Sequence, residues 1–402
     1  MSATAIYFLT LLGGVGVGAW FFGQGQAVRL RLAAGERPHS RAPYHGALCA
    51  AFAMAGAVPA LVLARGLGAP DLLSWLAVMV AGGAGVLLAA RKAGPQHRAR
   101  ERAERLARAL MWLAASLSGV ITLGIVVTLV AEAALFFADV SVLELLFGTR
   151  WSPQTALRGD QVGQDGTFGG LPVFAGSLLI AALALAMATP VGIMIAIYLS
   201  EYARPVTRRA LKPALGVLSG IPPVVYGVFA LIAIGPAVQA LGGAIGLDVP
   251  VQSALAAAIA MALMVLPLIS ALSDDVLRAV PQSARDASSA LGATPSETIT
   301  RVVLPQALPG LSAAVLLAVG RAIGETMIVV IAAGRAANLT LNPFESVTTV
   351  TVQIVALLTG DQVFDSAKTR AAFALGLALF ALTLLINGLA LRAVRRFRRA
   401  TR

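Results

Sequence analysis

Nine runs of roughly 18 to 28 mostly apolar residues punctuate the chain, at about 5–22, 46–64, 72–90, 110–138, 172–199, 215–240, 251–272, 311–333 and 371–391. About 20 helical residues cross a hydrocarbon core of ~30 Å. Inside lipid, backbone N–H and C=O groups must bond within the segment, which favours a helix. The runs therefore predict an all-α integral membrane protein with about nine transmembrane helices. Composition agrees, because only 12% of residues are charged, against about a quarter in soluble domains. The third run, which contains AGGAG at 81–85, is the weakest of the series.

A formal charge of +12 would suit a nucleic-acid partner if the charges shared a surface, but they alternate between loops. Segments 24–45, 91–109, 200–214 and 273–310 and the C-terminal tail hold 24 of the 31 Lys and Arg residues. This is the positive-inside pattern. It predicts an outside N-terminus and an inside C-terminus, records topology, and gives no reason to expect nucleic acid. The first run lacks a basic leader and is followed by Arg29 and Arg31, so it reads as a retained span.

Cys49 is the single cysteine, and His39, His45 and His97 lack ligand spacing, so no metal site is expected. The charged segment 91–110 is the clearest seam. It divides residues 1–109, with three predicted spans and a basic linker, from residues 110–402, with six. Two longer outer loops follow, 139–171 and 334–370. The second holds VTTVTVQIVALL, too short to span and expected to be re-entrant or interfacial.

Between the seventh and eighth spans, residues 281–310 combine helical signals with a break at Gly292 and an N-cap at Thr294 or Ser296. Such a helix–turn–helix is either a docking element for a soluble partner or an amphipathic connector. Asp286-Ala287-Ser288, Gly292, Val302, Leu304 and Pro305 occupy the spacing of a known motif. It resembles the coupling loop of ABC importer permeases, whose consensus has Glu-Ala-Ala, Gly, Ile and Leu-Pro at these positions. Asp, Ser and Val are departures that keep size and charge. The resemblance implies that this loop docks on an ATP-binding subunit.

TPVGIMIAIYLSEYA (189–203), SGIPPVVYGVFAL (219–231) and GRAIGETM (320–327) extend the likeness. Together they resemble permeases of the phosphate-specific ABC importer, nearest to the first of its two permease subunits, over about residues 110–402. The resemblance implies a type I importer permease core in a bacterial inner membrane, with a periplasmic N-terminus and a cytoplasmic C-terminus. It implies a homologous second permease, two copies of an ABC ATPase, a periplasmic phosphate-binding protein, and inorganic phosphate as substrate. ATP and Mg would be bound by the ATPases. Consistent with that split, none of the three lysines, Lys92, Lys212 and Lys368, follows a glycine as a phosphate-binding P-loop requires. The chain is expected to be a transporter subunit and not an enzyme.

Pro222 and Pro223 remove two backbone donors beside Ser219 and Gly220. The break is either a packing kink or unwound backbone along a transport path. Glu201 and Tyr202 read as interfacial anchors.

GRAIGETM places Arg321 and Glu325 four residues apart in an apolar run. Charges there cost at least ~2.5 kcal/mol each on insertion scales. One reading is a self-neutralising i,i+4 pair, packed through Gly320 and Gly324. The other is an anion relay, in which Glu325 holds the guanidinium until an oxyanion competes for its planar donors. Thr326 would add a hydroxyl or bond its own backbone. The resemblance assigns the Arg and Glu positions to phosphate translocation. One arginine cannot neutralise a dianion, so a second basic group would come from the partner permease. Other oxyanions (sulfate, molybdate, phosphonate), ion-coupled transport through Glu325, and a sensor role remain alternatives.

Overall fold

The computed structural model describes residues 3–34, 40–66, 68, 70–91, 99–153, 166–359 and 366–400. Seven helices among them are long and apolar enough to cross a membrane, each overlapping one of the nine runs. The run at 72–90 gives a shorter apolar helix, Leu73–Ala89. The run at 5–22 begins among residues whose side chains are not described.

The chain forms two compact units, Met1–Gly124 and Ile125–Arg402. In the first, α1 (Ala3–Ala34), α2 (Ala42–Gly66) and α3 (Asp71–Arg91) pack pairwise. AGGAG proves to be a contact surface: a Cβ at Gly85 would strike the Phe52 carbonyl, and one at Gly82 would strike Val15. Lipid is as apolar as leucine, so membrane helices are held by close approach of backbones, which small residues permit. The expected boundary at residue 109 lies within α4 (Ala99–Asp139), which runs on without interruption.

In the second unit, α5 (Val142–Phe147) and the antiparallel pair β1 (Trp151–Ser152) and β2 (Thr167–Phe168) follow α4. α6 (Leu171–Ile197) continues as a π turn, Tyr198–Tyr202. α7 (Pro205–Gly220) carries Arg208, Arg209 and Lys212 and buries no residue. The sixth span therefore starts later than the apolar run suggested. It comprises α8 (Pro223–Phe229), a π turn and α9 (Gly235–Ala244). Ile221 and Pro222 are extended (ψ 128° and 137°), because a residue before proline is driven out of the helical region.

α10 (Ala254–Arg278) is the axis of this unit, packed against α6 and against the helices beyond it. Its alanines 254, 256, 257, 258 and 260 are wholly buried, and Gly192 of α6 meets Ile269. Ile180, Met261, Val265 and Ile269 fill the contact.

Next come α11 (Gln282–Ala290) and α12 (Pro295–Thr298), which passes through a π turn into α13 (Leu304–Ile323). The run at 311–333 is not one helix. It breaks at Gly324–Thr326 and resumes as α14 (Met327–Ala332). The apolar outer segment forms α15 (Val350–Leu358), nine residues capped by Thr349. Its Gln353 accepts from Trp151 Nε1 at 2.9 Å, tying it to the β-pair. α16 (Ala367–Ala400) ends the described chain.

Candidate functional site

The break after Ile323 separates the two charges of GRAIGETM. Arg321 sits in the last turn of α13, where the helix dipole favours a cation. Glu325 lies beyond the turn. Its Oε1 accepts from the N–H groups of Met327 (3.0 Å) and Ile328 (3.4 Å), so the carboxylate caps α14. Thr351 Oγ1 fixes the Glu325 carbonyl at 2.9 Å. Thr326 Oγ1 reaches only the Gly324 carbonyl, at 3.5 Å.

The expected Arg321–Glu325 pair is therefore absent from the ion pairs among the described residues. The i,i+4 relation needs a continuous helix, and Gly324 ends it. Nor do Gly320 and Gly324 bring helices together within this chain. Nothing lies near a Cβ built at Gly320, and one at Gly324 would meet only its own helix's carbonyls.

Freed of Glu325, the Arg321 guanidinium contacts Met264 Sδ of α10 at 3.9 Å and is exposed. It lines a cleft of about 610 Å³ between α10, α13 and α16. The walls are Leu268, one face of α13 from Ala313 to Arg321, and Asn387 and Leu391. A guanidinium in an apolar cleft, with no carboxylate partner among the described residues, has the chemistry to hold an anion.

Ser219 belongs to a different cavity. It lines a space of about 190 Å³ with Lys212, Ser270 and Asp274. Gly220, Pro222 and Pro223 line neither this space nor the Arg321 cleft. The proline break is braced by Tyr226, whose hydroxyl donates to the Leu218 carbonyl at 2.9 Å.

The 281–310 loop forms the expected helix–turn–helix. Gly292 has φ +80°, a left-handed conformation that disfavours any side chain. Thr294 and Glu297 close a capping box on α12. Ser288 Oγ lies 2.9 Å from Thr298 Oγ1, joining the two arms. Asp286 accepts from Gln282 at 3.0 Å and is exposed with Ala287 and Pro305, while Val302 and Leu304 are half-buried. Leu291 at the tip is 90% exposed.

Two features of this end were not foreseen from the sequence. Arg285 donates to Glu201 Oε1 at 2.9 Å and Oε2 at 3.3 Å, and also to the Leu277 and Val280 carbonyls. Glu201, read as an interfacial anchor, thus ties the π turn after α6 to α11. Asp274, buried near the end of α10, receives Lys212 and Arg278 at 2.9 Å and Arg208 at 3.4 Å. The bond to Asp274 holds the Lys212 ammonium above the usual lysine pKa. The adjacent acids in SDDVLR, at the end of an apolar run, were a signal that could have found this cluster.

Residues 188–399 match the family model of the binding-protein-dependent transport system inner membrane component. The chain belongs to this family. These are transport permeases, not enzymes, and the permease is a multi-pass protein of the inner membrane. A probable ABC transporter permease of Bacillus subtilis is 33% identical over 278 residues, 69% of this permease and 84% of the relative. The phosphate transport system permease protein PstC of Mesorhizobium japonicum is 33% identical over 238 residues, 56% of this permease and 72% of that one. Among solved structures, a bacterial alginate ABC transporter in complex with its pentasaccharide-bound periplasmic protein matches at TM-score 0.50. The match covers 73% of this permease and 96% of that chain at 16% identity, a likeness of fold alone.

Proposed function

We propose that the permease translocates inorganic phosphate as one of two homologous permease subunits of an ATP-driven importer. The observation that carries this reading is the Arg321 guanidinium, unpaired with any carboxylate among the described residues and open to an apolar cleft. Similarity to PstC supports phosphate as the substrate. Two ATPase copies would bind ATP and Mg, and a periplasmic phosphate-binding protein would dock on the loops around α5 and α15. The 281–310 loop would lie in the cytoplasm with the C-terminus, leaving the N-terminus periplasmic. Residues 1–109 would be an N-terminal extension that precedes the 110–402 core in sequence.

In this mechanism ATP-driven closure of the ATPases acts through Asp286-Ala287-Ser288, Gly292, Val302, Leu304 and Pro305. Phosphate leaves the opened binding protein and meets Arg321, and hydrolysis resets the complex. Glu325 does not guard the arginine but fixes the start of α14, with Thr326 at the break. A second cation from the partner permease would complete the neutralisation of a dianion.

The test is radiolabelled phosphate uptake in cells lacking other phosphate routes, wild type against Arg321→Gln at matched membrane levels. Uptake should collapse while the ATPase still co-purifies; unchanged uptake would overturn the reading. Competition by sulfate, molybdate or phosphonate tests the neighbouring substrate assignments.

A further inference from the structure

We infer that Asn387 is a second substrate-contacting residue, and that its carboxamide and the Arg321 guanidinium together form a two-sided oxyanion site. This rests on the reading of Arg321 as part of the phosphate path. α13 supplies Arg321 and α16 supplies Asn387 to the same cleft, whose other walls are Leu, Ala and Gly. Asn387 is half-buried.

Two physical points single it out. A polar side chain within a membrane span is costly, and such residues mark substrate pathways unless they pair with a neighbour. Hydroxyl-bearing neighbours in the interior of these two spans close their bonds locally: Ser312 on the Leu308 carbonyl at 2.8 Å and Thr383 on the Phe380 carbonyl at 2.9 Å. Asn387 has no such bond among the described residues, so its two donors and one acceptor oxygen remain for a ligand. The space is also present, because a Cβ at Gly320 would meet nothing within 4 Å.

The two groups make different demands on an anion. Arg321 offers only donors, so it takes unprotonated oxygens. The Asn387 amide donates through Nδ2 and accepts through Oδ1, so it can bond an anionic oxygen or a P–OH group. A partly protonated tetrahedral oxyanion, such as phosphate near neutral pH, satisfies both. A fully ionised one, such as sulfate, uses only the donor side.

The experiment uses the assembled importer in proteoliposomes, with its binding protein, comparing wild type, Asn387→Leu, Asn387→Gln and Arg321→Gln. Phosphate transported and ATP hydrolysed are measured together, with sulfate as competitor. A lost hydrogen bond to a charged ligand is worth roughly tenfold or more. Asn387→Leu should therefore lower phosphate transported per ATP about tenfold while ATP hydrolysis persists, and Asn387→Gln should restore most of it. The inference is overturned if Leu transports like wild type, or if Leu and Gln fall equally together with ATP hydrolysis, as a packing role requires. If Arg321→Gln abolishes transport but Asn387→Leu does not, only this inference fails. If Arg321→Gln transports normally, the path reading fails and takes this inference with it.

Discussion

Arg285 and Glu201, 84 residues apart, meet through two hydrogen bonds at 2.9 and 3.3 Å, with both side chains largely shielded from solvent. Their pairing joins the first turn of α11 to the π turn that ends α6. The same guanidinium closes the C-terminal end of α10 by taking the Leu277 and Val280 carbonyls. One side chain thus holds three elements where the 281–310 loop leaves the helical body.

Substituting Glu201→Gln should loosen that junction. Breaking a shielded ion pair by removing one charge costs about 3 kcal/mol or more when fully buried, and less here because part of each group is open. The expected result is an importer that assembles but transports less phosphate per ATP. Exchange of the two charges, Glu201→Arg with Arg285→Glu, should recover part of the loss. A double-mutant cycle on transport per ATP provides the measurement.

Gly292→Val should strain the turn between α11 and α12, because a side chain at φ +80° costs about 1–2 kcal/mol. The helices of the membrane body do not depend on this turn. Membrane levels should stay normal while co-purification of the ATPase falls, and Gly292→Ala should fall between Val and wild type.

Asp274→Asn should leave Arg208, Lys212 and Arg278 without their shared carboxylate. Hydrogen bonds to charged groups are worth about 1.5–3 kcal/mol each, discounted here because the three cations are partly exposed. Thermal unfolding in detergent should show a lower midpoint for the variant. The pH dependence has a definite sign for Lys212, whose folded pKa is raised above 10.5 by the bond to Asp274. Its contribution is complete below that value and is lost as pH rises past it, so the difference between wild type and variant should persist through neutral pH.

Glu325→Gln keeps an acceptor oxygen and should preserve the α14 cap. Glu325→Ala removes it and should cost about 1 kcal/mol. Hydrogen exchange at Met327 and Ile328 should quicken in the Ala variant and not in the Gln variant. Equal behaviour of the two would show that the charge, and not the cap, is what matters.

Periodicity and spacing made much of this legible. Seven of the apolar runs overlap helices long enough to cross a membrane, and the helix–turn–helix of 281–310 was readable from Gly292, Thr294 and Glu297 because caps are local chemistry. What escaped depended on where chain segments end. Hydrophobicity alone could not tell that 215–220 belongs to a helix before the span, since Leu215, Val217 and Leu218 are as apolar as the span itself. Nor could it show the break at Gly324, because an i,i+4 Arg–Glu pair suits an unbroken helix equally well. The Glu201–Arg285 contact and those of Asp274 with Arg208 and Lys212 join residues more than 60 positions apart, which no i,i+4 pattern pairs.

From Pro295 to Ile323 the chain is a single helical rod of 29 residues, about 43 Å at ~1.5 Å per residue. Its foot lies in the turn that follows Gly292, and its tip carries Arg321. Gly324 then frees whatever comes after. In the proposed mechanism, a tilt imposed at the foot by the ATPase would reach the tip as a lateral displacement that scales with the rod's length. Glu325, anchored to α14 and Thr351, need not follow. On that proposal the rod would act as a lever with the Arg321 guanidinium near its working end, and the helix break at Gly324 would be its hinge.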